Sequence, residues 1–344
     1  MKKFIVLISI LIIAVLIPLV AVNYIIDSGN VWHSEKICQT ILSGFKQGKN
    51  VTNVVDLNER MLKEKLVELH KGDSIDYIII GASRVMTISS DVFGGKVILN
   101  LGMSGSKIED LIAVTQLCED NNVSYNKVII GAEPTYFNAK DGSTSWLYLK
   151  KYYDSFLGKY NSNYTAPKNR LTLISLSYFQ SNIQTLPALI KGKRSINYVD
   201  SYINDGMTYR IDGSIYYSKD YRERPHHLID EESRTWMHES FNNYDNISFE
   251  RVELFDRLVR VLLERGYDVI FFKCPYHPDF YSRIFKIHGV VEGESLMDSI
   301  AQKYDINIIG SYNSEDVHFT NQSFYDAAHV RKESIDKLFS NYLQ

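Results

Sequence analysis

One serine and one acid–histidine pair have the residue types and spacing needed for nucleophilic catalysis. Ser83 follows the apolar run Tyr77–Ile80 in the segment YIIIGASRVMTISS. A buried strand that runs into Gly-Ala-Ser places a small nucleophile at the carboxyl end of a sheet, where ligands and catalytic groups collect. Near the other end of the chain, Asp326 and His329 stand three residues apart in FYDAAHV. An acid at this distance can bond one ring nitrogen of the histidine and leave the other to take a serine's proton.

Each of these residues also fits a role without catalysis. Asp326 can cap a helix that starts near Ala327, which would make His329 a surface residue in its first turn. Spacing alone leaves this interpretation and the catalytic one open. Asp316 and His318, in EDVHF, form a second acid–histidine pair and a reserve choice for the acid. The GASR loop also fits a phosphate site at a strand end, as in many doubly wound sheets.

Strand patterns and amphipathic helix patterns alternate after about residue 76. The strand patterns are YIII, KVILNLGMSG, NKVIIGAEP, YDVIFFKC and INIIG, and the helix patterns are SKIEDLIAVTQLCEDNN, SFERVELFDRLVRVLLERG and SLMDSIAQKY. Ser106 and Glu109 have the spacing of a capping box at the start of the first of these helices. The alternation predicts an α/β fold, a three-layer α/β/α sandwich with a mostly parallel sheet.

Composition divides the chain into three regions. Residues 1–30 are an apolar segment, residues 31–75 mix charged and aliphatic residues at helical spacing and predict a helical linker, and residues 76–344 carry the α/β pattern. A Tyr-, Ser- and Asn-rich stretch at about 137–246 interrupts that pattern and predicts an insertion. It is either a separate small domain or a cap over the carboxyl edge of the sheet, and its position between two sheet strands favours the cap.

The amino-terminal segment predicts a membrane anchor. From Phe4 to Ile26 there is no charged side chain, and this run exceeds the roughly 20 apolar residues that cross a bilayer. Lys2 and Lys3 favour a cytoplasmic amino terminus, so we expect a single-pass cell-membrane protein whose carboxyl-terminal domain is extracytoplasmic. A cleaved signal peptide is the alternative, but its apolar core usually has about 7–15 residues and ends in a small-x-small site, for which PLVAVNYII is a poor match.

Composition argues against several other classes of protein. The chain has 344 residues and a net charge of −3, without the basic footprint that neutralises phosphate backbones, so we expect no nucleic-acid partner. Cys38, Cys118 and Cys274 are too few and too scattered for a disulfide framework or a zinc site. His226 and His227 are adjacent and would point apart in an extended chain. We therefore expect no metal and no other cofactor.

Four segments, in this order, resemble the sequence blocks of the SGNH/GDSL hydrolase superfamily. They are GASR after the first strand, NLGMSG after the second, VIIGAEP after the third, and DAAH before the last helix. The chain is most similar to the membrane-anchored, cell-surface branch that includes the D-alanyl-lipoteichoic acid protein DltD and the alginate O-acetylation proteins. The amino-terminal anchor, the insertion segments LSYFQSNIQTL and DGSIYYS, and KCPYHPDFY resemble that branch too. The resemblance extends over roughly residues 76–343.

The resemblance implies a role for each matching residue. Ser83 matches the nucleophile, His329 the general base, and Asp326 the acid that orients the base. The backbone N–H groups of Ser83 and Gly102 would face the developing oxyanion, and each such donor supplies about 3 kcal/mol at the transition state. Glu133 replaces the amide that supplies a third donor in the family. A carboxylate there repels an oxyanion unless it is protonated or turned away.

Arg84, Glu133, Tyr276 and His277 are the candidate substrate contacts. Arg84 suits an anionic group such as phosphate or uronate, and an exposed structural ion pair is the alternative. Tyr276 and His277, in PYHPDF, follow a strand pattern and suit an acyl or sugar pocket. Packing of this loop between its two prolines is the alternative for both residues.

The resemblance implies a membrane-anchored, extracytoplasmic serine esterase or O-acyltransferase. Such an enzyme would form an acyl-enzyme and transfer or remove acetyl or D-alanyl groups on a cell-surface polysaccharide or teichoic acid. It would have a membrane-bound O-acyltransferase as partner. The alternative from another class is a noncatalytic envelope protein of the same fold that binds glycan or scaffolds an acylation complex.

Overall fold

The strand and helix patterns of the sequence fold around one parallel sheet. The computed structural model describes residues 1–54, 56–159, 170–190, 195–242 and 244–343. Within these residues the strands are β1 (Asn50–Thr52), β2 (Ser74–Ile80), β3 (Ile98–Asn100), β4 (Ser124–Gly131), β5 (Asn197–Val199), β6 (Thr208–Tyr209), β7 (Ile215–Tyr216), β8 (Asp268–Lys273) and β9 (Asn307–Gly310). The helices are α1 (Lys2–Ile26), α2 (Ser34–Lys46), α3 (Glu59–Leu69), α4 (Ile108–Asp120), α5 (Lys150–Phe156), α6 (Leu176–Ile190), α7 (Lys219–Arg222), α8 (His226–Thr235), α9 (Phe249–Glu264), α10 (Pro278–Ile284), α11 (His288–Lys303) and α12 (Lys332–Leu343).

The central sheet has five parallel strands in the order β3-β2-β4-β8-β9. β2 pairs with β3 on one side and β4 on the other, so that Ile79 lies between Asn100 and Ile129. The first strand of this sheet, β2, is therefore an interior strand. The chain then forms the edge strand β3 and crosses back past β2 to form β4. This reversal leaves a crevice at the carboxyl end of β2, where open α/β sheets bind ligands. The predicted α/β class with a parallel sheet is confirmed.

Alternate residues of the strands bury opposite faces of the sheet. Ile78 and Ile80 belong to an apolar core that includes side chains of α4 and α9. Ile79 belongs to a second core on the other face, which includes side chains of α12. A strand covered by helices on both faces is apolar at every position, which explains the uninterrupted YIII run.

The region before the sheet contains a strand as well as helices. β1 lies between α2 and α3 and pairs antiparallel with β5 and β6, which belong to the insertion. These strands and β7 form a second sheet in the order β5-β1-β6-β7. The expected helical linker of residues 31–75 is thus corrected, because three residues are too few for strand periodicity to show. Residues 160–169, 191–194 and 243 of the predicted insertion lie outside the described residues.

α1 is a helix of 25 residues that is long and apolar enough to cross a membrane. Its most apolar window has a mean hydropathy of 3.3. Most side chains from Phe4 to Ile17 are exposed, whereas Leu19 and Asn23 are buried against the rest of the chain. The helix therefore projects from the protein and is attached to it at its carboxyl-terminal end.

Two glycines allow the ends of β2 and β4 to approach each other next to Ser83. Gly81 has a φ of +153°, and a Cβ there would lie 3.1 Å from the Cα of Gly131. A Cβ on Gly131 would lie 2.5 Å from Cγ1 of Val85. A side chain at either position would displace the turn that carries Ser83.

The Asn100 side chain joins the loop after β2 to the loop after β3. Its Nδ2 donates to the carbonyl oxygens of Val85 and Ile88, both at 2.8 Å. Its Oδ1 accepts the N–H of Gly102 at 2.9 Å. Because the side chain is fully buried, water cannot replace these bonds, and one amide sets the spacing of the two loops.

Replacing Asn100 with Ala should lower the free energy of unfolding by about 3 kcal/mol, because three hydrogen bonds are lost and buried backbone groups stay unsatisfied. Urea unfolding of the full chain in detergent measures this change. The control is Asn307→Ala, at an exposed position of β9, which should change the value by less than about 0.5 kcal/mol. Equal stability of the two variants would contradict the bridging role of Asn100.

Candidate active site

Ser83 and His329 lie within hydrogen-bonding distance of each other although 246 positions separate them. Ser83 is the first residue of a 3₁₀ turn, Ser83–Val85, that follows β2. His329 lies in the segment between β9 and α12. Ser83 Oγ is 2.8 Å from His329 Nε2. The structure thus brings the predicted nucleophile and base together at the carboxyl edge of the sheet.

Asp326 lies behind the imidazole ring of His329. Its Oδ2 is 2.9 Å from His329 Nδ1, and its Oδ1 accepts the backbone N–H groups of Ala328 and His329, both at 2.7 Å. α12 begins only at Lys332. Asp326 therefore caps no helix at Ala327, and the helix-cap interpretation of this residue is wrong.

The surroundings of Asp326 stabilise its ionised form. Burial alone would raise its pKa, but the attraction of His329 and hydrogen bonds from His329, Tyr221 and the Ala328 N–H lower the pKa well below its ordinary value. An ionised acceptor beside Nδ1 selects the tautomer with a proton on Nδ1, which leaves the Nε2 lone pair facing the Ser83 hydroxyl. In this state His329 can accept a proton from Ser83.

Tyr221 completes this hydrogen-bonded chain, and sequence reasoning missed it. Its hydroxyl, on α7 of the insertion, donates to Asp326 Oδ2 and lies 3.4 Å from His329 Nδ1. Burial and the Asp326 charge raise the pKa of Tyr221, so the phenol stays protonated as a donor. The residue lies 105 positions before Asp326, and no spacing rule connects the two. The only feature of the sequence that pointed toward Tyr221 is the abundance of tyrosine in the insertion.

Arg84 is buried. It therefore forms neither of the arrangements considered from the sequence, an exposed ion pair or an anion-binding site open to solvent. Its Nη1 lies 2.7 Å from Glu133 Oε2, and its Nε donates to the Ala328 carbonyl at 3.1 Å. Its Nη2 donates to the carbonyls of Cys274 and Pro275. The predicted substrate contact is therefore corrected: the guanidinium joins three loops at the strand ends because a buried charge needs several partners.

Glu133 is turned toward Arg84. Its Oε2 also accepts the Tyr276 hydroxyl at 3.0 Å, and the Arg84 guanidinium carbon lies 3.5 Å from the centre of the Tyr276 ring. Burial is the largest effect and opposes the charge of Arg84, but the Glu133 carboxylate, together with Tyr276, Cys274 and Tyr312, raises the pKa of Arg84. Glu133 and Tyr276 border the cavity, as expected of substrate contacts. The prediction is corrected for their polar atoms, which bind Arg84 or each other.

The backbone N–H of Gly102 is already engaged. It donates to Asn100 Oδ1, so it does not point to an open oxyanion site beside Ser83 as predicted. The physical reason is that the buried Asn100 oxygen needs a donor. Glycine is still required at this position, since a Cβ would lie 2.6 Å from Val85 Cγ2.

A cavity of about 180 Å³ opens onto Ser83, Asp326 and His329. Four aromatic side chains from both the sheet side and the insertion form part of its wall, beside polar and charged groups: Tyr136, Trp236, Phe241 and Tyr276. Aromatic walls exclude water around a reacting group and strengthen the electrostatic interactions there. The arrangement suits a small acyl group bound next to the serine hydroxyl.

Two buried hydroxyls of this cavity, Ser106 Oγ and Tyr136 Oη, have no hydrogen-bond partner within the described part of the chain. The Ala82 N–H is directed at the Tyr136 oxygen, which places Tyr136 beside the turn of Ser83. A buried hydroxyl without a partner costs stability. Neither proton is committed to another group in the described part of the chain.

The predicted capping box at Ser106 is wrong, which is why its hydroxyl is free. The Asp110 carboxylate accepts the Lys107 N–H at 3.0 Å and starts α4. Glu109, the expected partner in the box, instead forms a two-pronged ion pair with Arg251 at 3.0 Å. Sequence spacing fits Ser106–Glu109 and Lys107–Asp110 equally well, but Arg251 binds Glu109 while Arg60 holds the Asp110 carboxylate with two hydrogen bonds of 2.8 Å.

His277 is packed away from the cavity, and the predicted substrate contact is corrected. Its fully buried ring has Nε2 3.1 Å from Asp230 Oδ1, while Nδ1 accepts the Asp279 N–H at the start of α10. Burial lowers the pKa of His277, which keeps the ring neutral so that Nδ1 can accept. The residue is a helix cap.

The second acid–histidine pair does not border the cavity either. The Asp316 carboxylate accepts the Ser311 hydroxyl at 2.7 Å and the Asn313 amide at 3.1 Å. His318 adopts a left-handed conformation with φ of 58° at the end of a 3₁₀ turn. Across the stretches that the structure describes, no three His, Cys, Asp or Glu side chains are grouped so as to hold a metal ion.

His238 is a further cavity residue that sequence reasoning missed. Its Nδ1 accepts the Ser240 N–H at 3.1 Å. Burial and the nearby Lys107 charge lower the pKa of His238, so a neutral ring carries its proton on Nε2. Lys107 is itself held 2.6 Å from Asp141. Lys107 and Ser240 also border a second, polar cavity of about 390 Å³, so the two cavities share part of their walls.

Replacing Glu133 with Gln should lower the free energy of unfolding by about 3–5 kcal/mol, because the Arg84 charge stays buried without its partner. Urea unfolding again provides the measurement. The matched control is Glu264→Gln, which breaks an exposed pair with Arg260 and should change the value by less than about 1 kcal/mol. Similar losses in the two variants would show that the Arg84–Glu133 pair is not the structural contact described above.

Comparisons with known proteins do not assign the chain to a family. No protein-family model matches the sequence, and a search of curated proteins found no match. The geometry around Ser83, together with α1, is therefore what supports a function.

Proposed function

We propose that the chain is a membrane-anchored, outward-facing serine esterase or O-acyltransferase of SGNH type. The observation that carries this proposal is the alignment of Ser83, His329 and Asp326, at 2.8 Å and 2.9 Å, next to an aromatic cavity. Its substrate is a cell-surface polysaccharide or teichoic acid, and a membrane-bound O-acyltransferase is its partner in acylation.

The geometry supports acyl transfer in two steps. Ser83 Oγ attacks the carbonyl carbon of the donor ester while its proton passes to His329 Nε2. The bond to the leaving oxygen breaks, and His329 returns the proton to that oxygen. An acceptor hydroxyl or water then gives its proton to His329 and attacks the acyl-serine, and the proton returns to Ser83. Asp326 stays ionised throughout and stabilises the imidazolium.

Oxyanion stabilisation in this proposal comes from hydroxyl groups as well as the backbone. The Ser83 N–H has no acceptor among the described residues and is one donor. Tyr136, beside Ala82, and Ser106 supply the others, since the Gly102 N–H is engaged and Glu133 is paired. Preorganised donors in a dry site are worth more than the same groups in water.

The two adjoining cavities bind different parts of the reacting molecules. The aromatic one, of about 180 Å³, suits a small acyl group such as acetyl or D-alanyl. The polar one, of about 390 Å³, has side chains of Asn138, Ser143 and Thr144 in its wall and suits a hydroxyl-rich acceptor. Sugar and polyol hydroxyls find donors and acceptors there.

The insertion acts as a cap over the carboxyl edge of the sheet in this proposal. Trp236 and Phe241, from the insertion, border the cavity that opens onto Ser83, and Tyr221 orients Asp326. Closure by aromatic side chains would slow the entry of water and favour an acceptor hydroxyl.

α1 supplies the membrane attachment. Lys2 and Lys3 precede its apolar run and favour an amino terminus in the cytoplasm, which places the sheet and cavity outside the cell. A tether holds the site near the envelope and near a membrane-bound acyl donor, which raises the effective concentration of both.

A noncatalytic envelope protein of the same fold is the second candidate. The observation that favours it is the engaged Gly102 N–H together with a carboxylate at Glu133, which removes two expected oxyanion donors. Such a protein would bind glycan or scaffold an acylation complex through the same cavities.

A fluorophosphonate probe should form one covalent adduct with the full chain in detergent, read out by intact mass. Ser83→Ala should abolish the adduct, and His329→Ala should slow its formation by at least about 100-fold, because the hydroxyl loses its base. His318→Ala is the control histidine variant and should react at the rate of the original chain. The full chain is needed because Asn23 of α1 is buried against the domain.

No adduct under conditions that label a working serine esterase would favour the noncatalytic candidate. That candidate also predicts that surface acylation, lost when the protein is deleted, persists with Ser83→Ala. An adduct that survives Ser83→Ala would contradict the assignment of the nucleophile.

Tyr136→Phe and Ser106→Ala should each lower kcat on p-nitrophenyl acetate by about 100-fold with little change in KM, because each removes a transition-state donor. Neither should lower the free energy of unfolding, since each hydroxyl lacks a partner in the described residues. Tyr312→Phe is the control: it removes a buried hydrogen bond to the Ala132 carbonyl, so it should reduce stability and leave kcat nearly unchanged. Unchanged kcat in the first two variants would exclude their role as donors.

A further inference from the structure

The carboxyl-terminal end of α1 is fixed to the insertion by a buried asparagine. Asn23 is fully buried, and its Nδ2 donates to the carbonyl oxygens of Thr172, Leu173 and Ser175 at 3.0–3.1 Å. These carbonyls belong to the short 3₁₀ turn Arg170–Ile174 and to the residue that follows it. One side chain of the membrane helix thus holds the segment that leads into α6.

A second buried asparagine fixes α6 itself. Asn182 Nδ2 donates to Asn23 Oδ1 at 3.0 Å, and Asn182 Oδ1 accepts the Ser28 N–H at 2.7 Å. The Tyr178 hydroxyl donates to Asp27 Oδ1 at 2.6 Å and accepts the Gly29 N–H. α6 therefore lies against the end of α1 in one defined orientation.

The outer side of α6 carries an apolar stripe. Leu176, Ile183 and Ile190 recur every seven residues, which aligns them on one side of a helix, and they are 67%, 44% and 78% exposed. Leu171 and Ile174 of the preceding turn are 71% and 53% exposed. We call these five residues the α6 apolar face.

A polar stripe runs beside the α6 apolar face on the same helix. It consists of the exposed side chains of Ser177, Gln180 and Gln184. The solvent side of α6 is thus itself divided into an apolar and a polar half. Such division is typical of helices that lie in the plane of a membrane surface.

The length of α1 sets the depth of the α6 apolar face. At 1.5 Å per residue its 25 residues extend about 37 Å, more than the roughly 30 Å of a hydrocarbon core. With Lys2 at one head-group layer, the opposite edge of the hydrocarbon falls about 20 residues later, near Asn23. The buried contact with the insertion begins at Leu19. Tyr178 and Asn182, the α6 residues that bind the end of α1, therefore lie near the boundary between acyl chains and head groups.

We propose that the α6 apolar face is a second membrane contact, inserted into the outer leaflet beside α1. Its occupant is lipid, because α6 is bound to the end of α1 that lies at the bilayer edge. Tyr24 and Trp32, whose ring centres are 6.3 Å apart, lie at the same end of α1, and such aromatic rings prefer this interfacial layer. The inference rests on the membrane crossing by α1 proposed above, but not on catalysis by Ser83.

Two membrane attachments, α1 and the α6 apolar face, restrict the orientation of the domain more than α1 alone does. With α1 alone, the domain and α1 could tilt and rotate together in the bilayer, whereas the α6 apolar face fixes which side of the domain meets the membrane. This orientation applies to the cavity at Ser83 as well, because α6 belongs to the same insertion as Tyr221.

Depth-dependent quenching tests the proposal on the full chain in vesicles of phosphatidylglycerol and phosphatidylethanolamine. An environment-sensitive fluorophore is attached at Leu176→Cys, Ile183→Cys or Gln184→Cys, and at Leu11→Cys within α1. The native cysteines are all buried, and the original chain serves as the labelling blank. Lipids with a nitroxide near the head group should lower the fluorescence at positions 176 and 183 at least about twofold, and at position 184 much less.

Each other pattern has a distinct meaning. Position 11 lies near the bilayer centre and is tested with lipids that carry the nitroxide deep in the acyl chain. Quenching at position 11 by these lipids, without head-group quenching at 176 and 183, would overturn the second contact while α1 still crosses the bilayer. No quenching at position 11 by these lipids would overturn the crossing and the inference together. Labels at 176 and 183 that are shielded from both lipid and aqueous iodide would show that protein, such as a second copy or a membrane-protein partner, covers the face instead of lipid. Activity of Ser83 is measured separately and does not enter these readouts.

Discussion

The arrangement around Ser83 depends on one buried guanidinium. Arg84 binds Glu133 at the end of β4, the Cys274 and Pro275 carbonyls after β8, and the Ala328 carbonyl next to His329. The sheet already brings these segments near one another, because β4, β8 and β9 are neighbouring parallel strands. A charge in the interior must be surrounded by partners, so the guanidinium fixes how the loops after these strands lie against one another and beside His329.

The distribution of satisfied and unsatisfied groups separates scaffold from site. Asn100, Arg84 and His277 have the buried hydrogen bonds that a stable interior requires. Ser106 and Tyr136 are buried without such bonds in the described residues, and both border the cavity of Ser83. Hydrogen-bonding groups that the fold leaves without partners beside one cavity can bind a ligand in that cavity. In the proposed acyl transfer, the carboxylate at Glu133 does not by itself remove oxyanion stabilisation, because its charge is directed to Arg84.

The insertion does more than cover the sheet. It supplies strands that pair with β1 from before the sheet, the hydroxyl of Tyr221 that binds Asp326, and α6, which binds the end of α1. Membrane attachment, cavity walls and the orientation of the acid thus depend on one continuous stretch of sequence. If α6 contacts the bilayer as proposed, this one helix would also orient the cavity at Ser83 relative to the membrane surface.

The sequence by itself determined the α/β class, the apolar amino-terminal helix, and the choice of Ser83, His329 and Asp326, because periodicity, length and residue type are local properties. Tertiary structure decided where polar atoms point. Arg84 and Gly102 carry the right residue types for substrate contacts, yet their donors are taken by partners from other loops. Which partner a buried group binds depends on residues brought close only by folding, as Tyr221 shows at 105 positions from Asp326. Local patterns carry no information on such pairings.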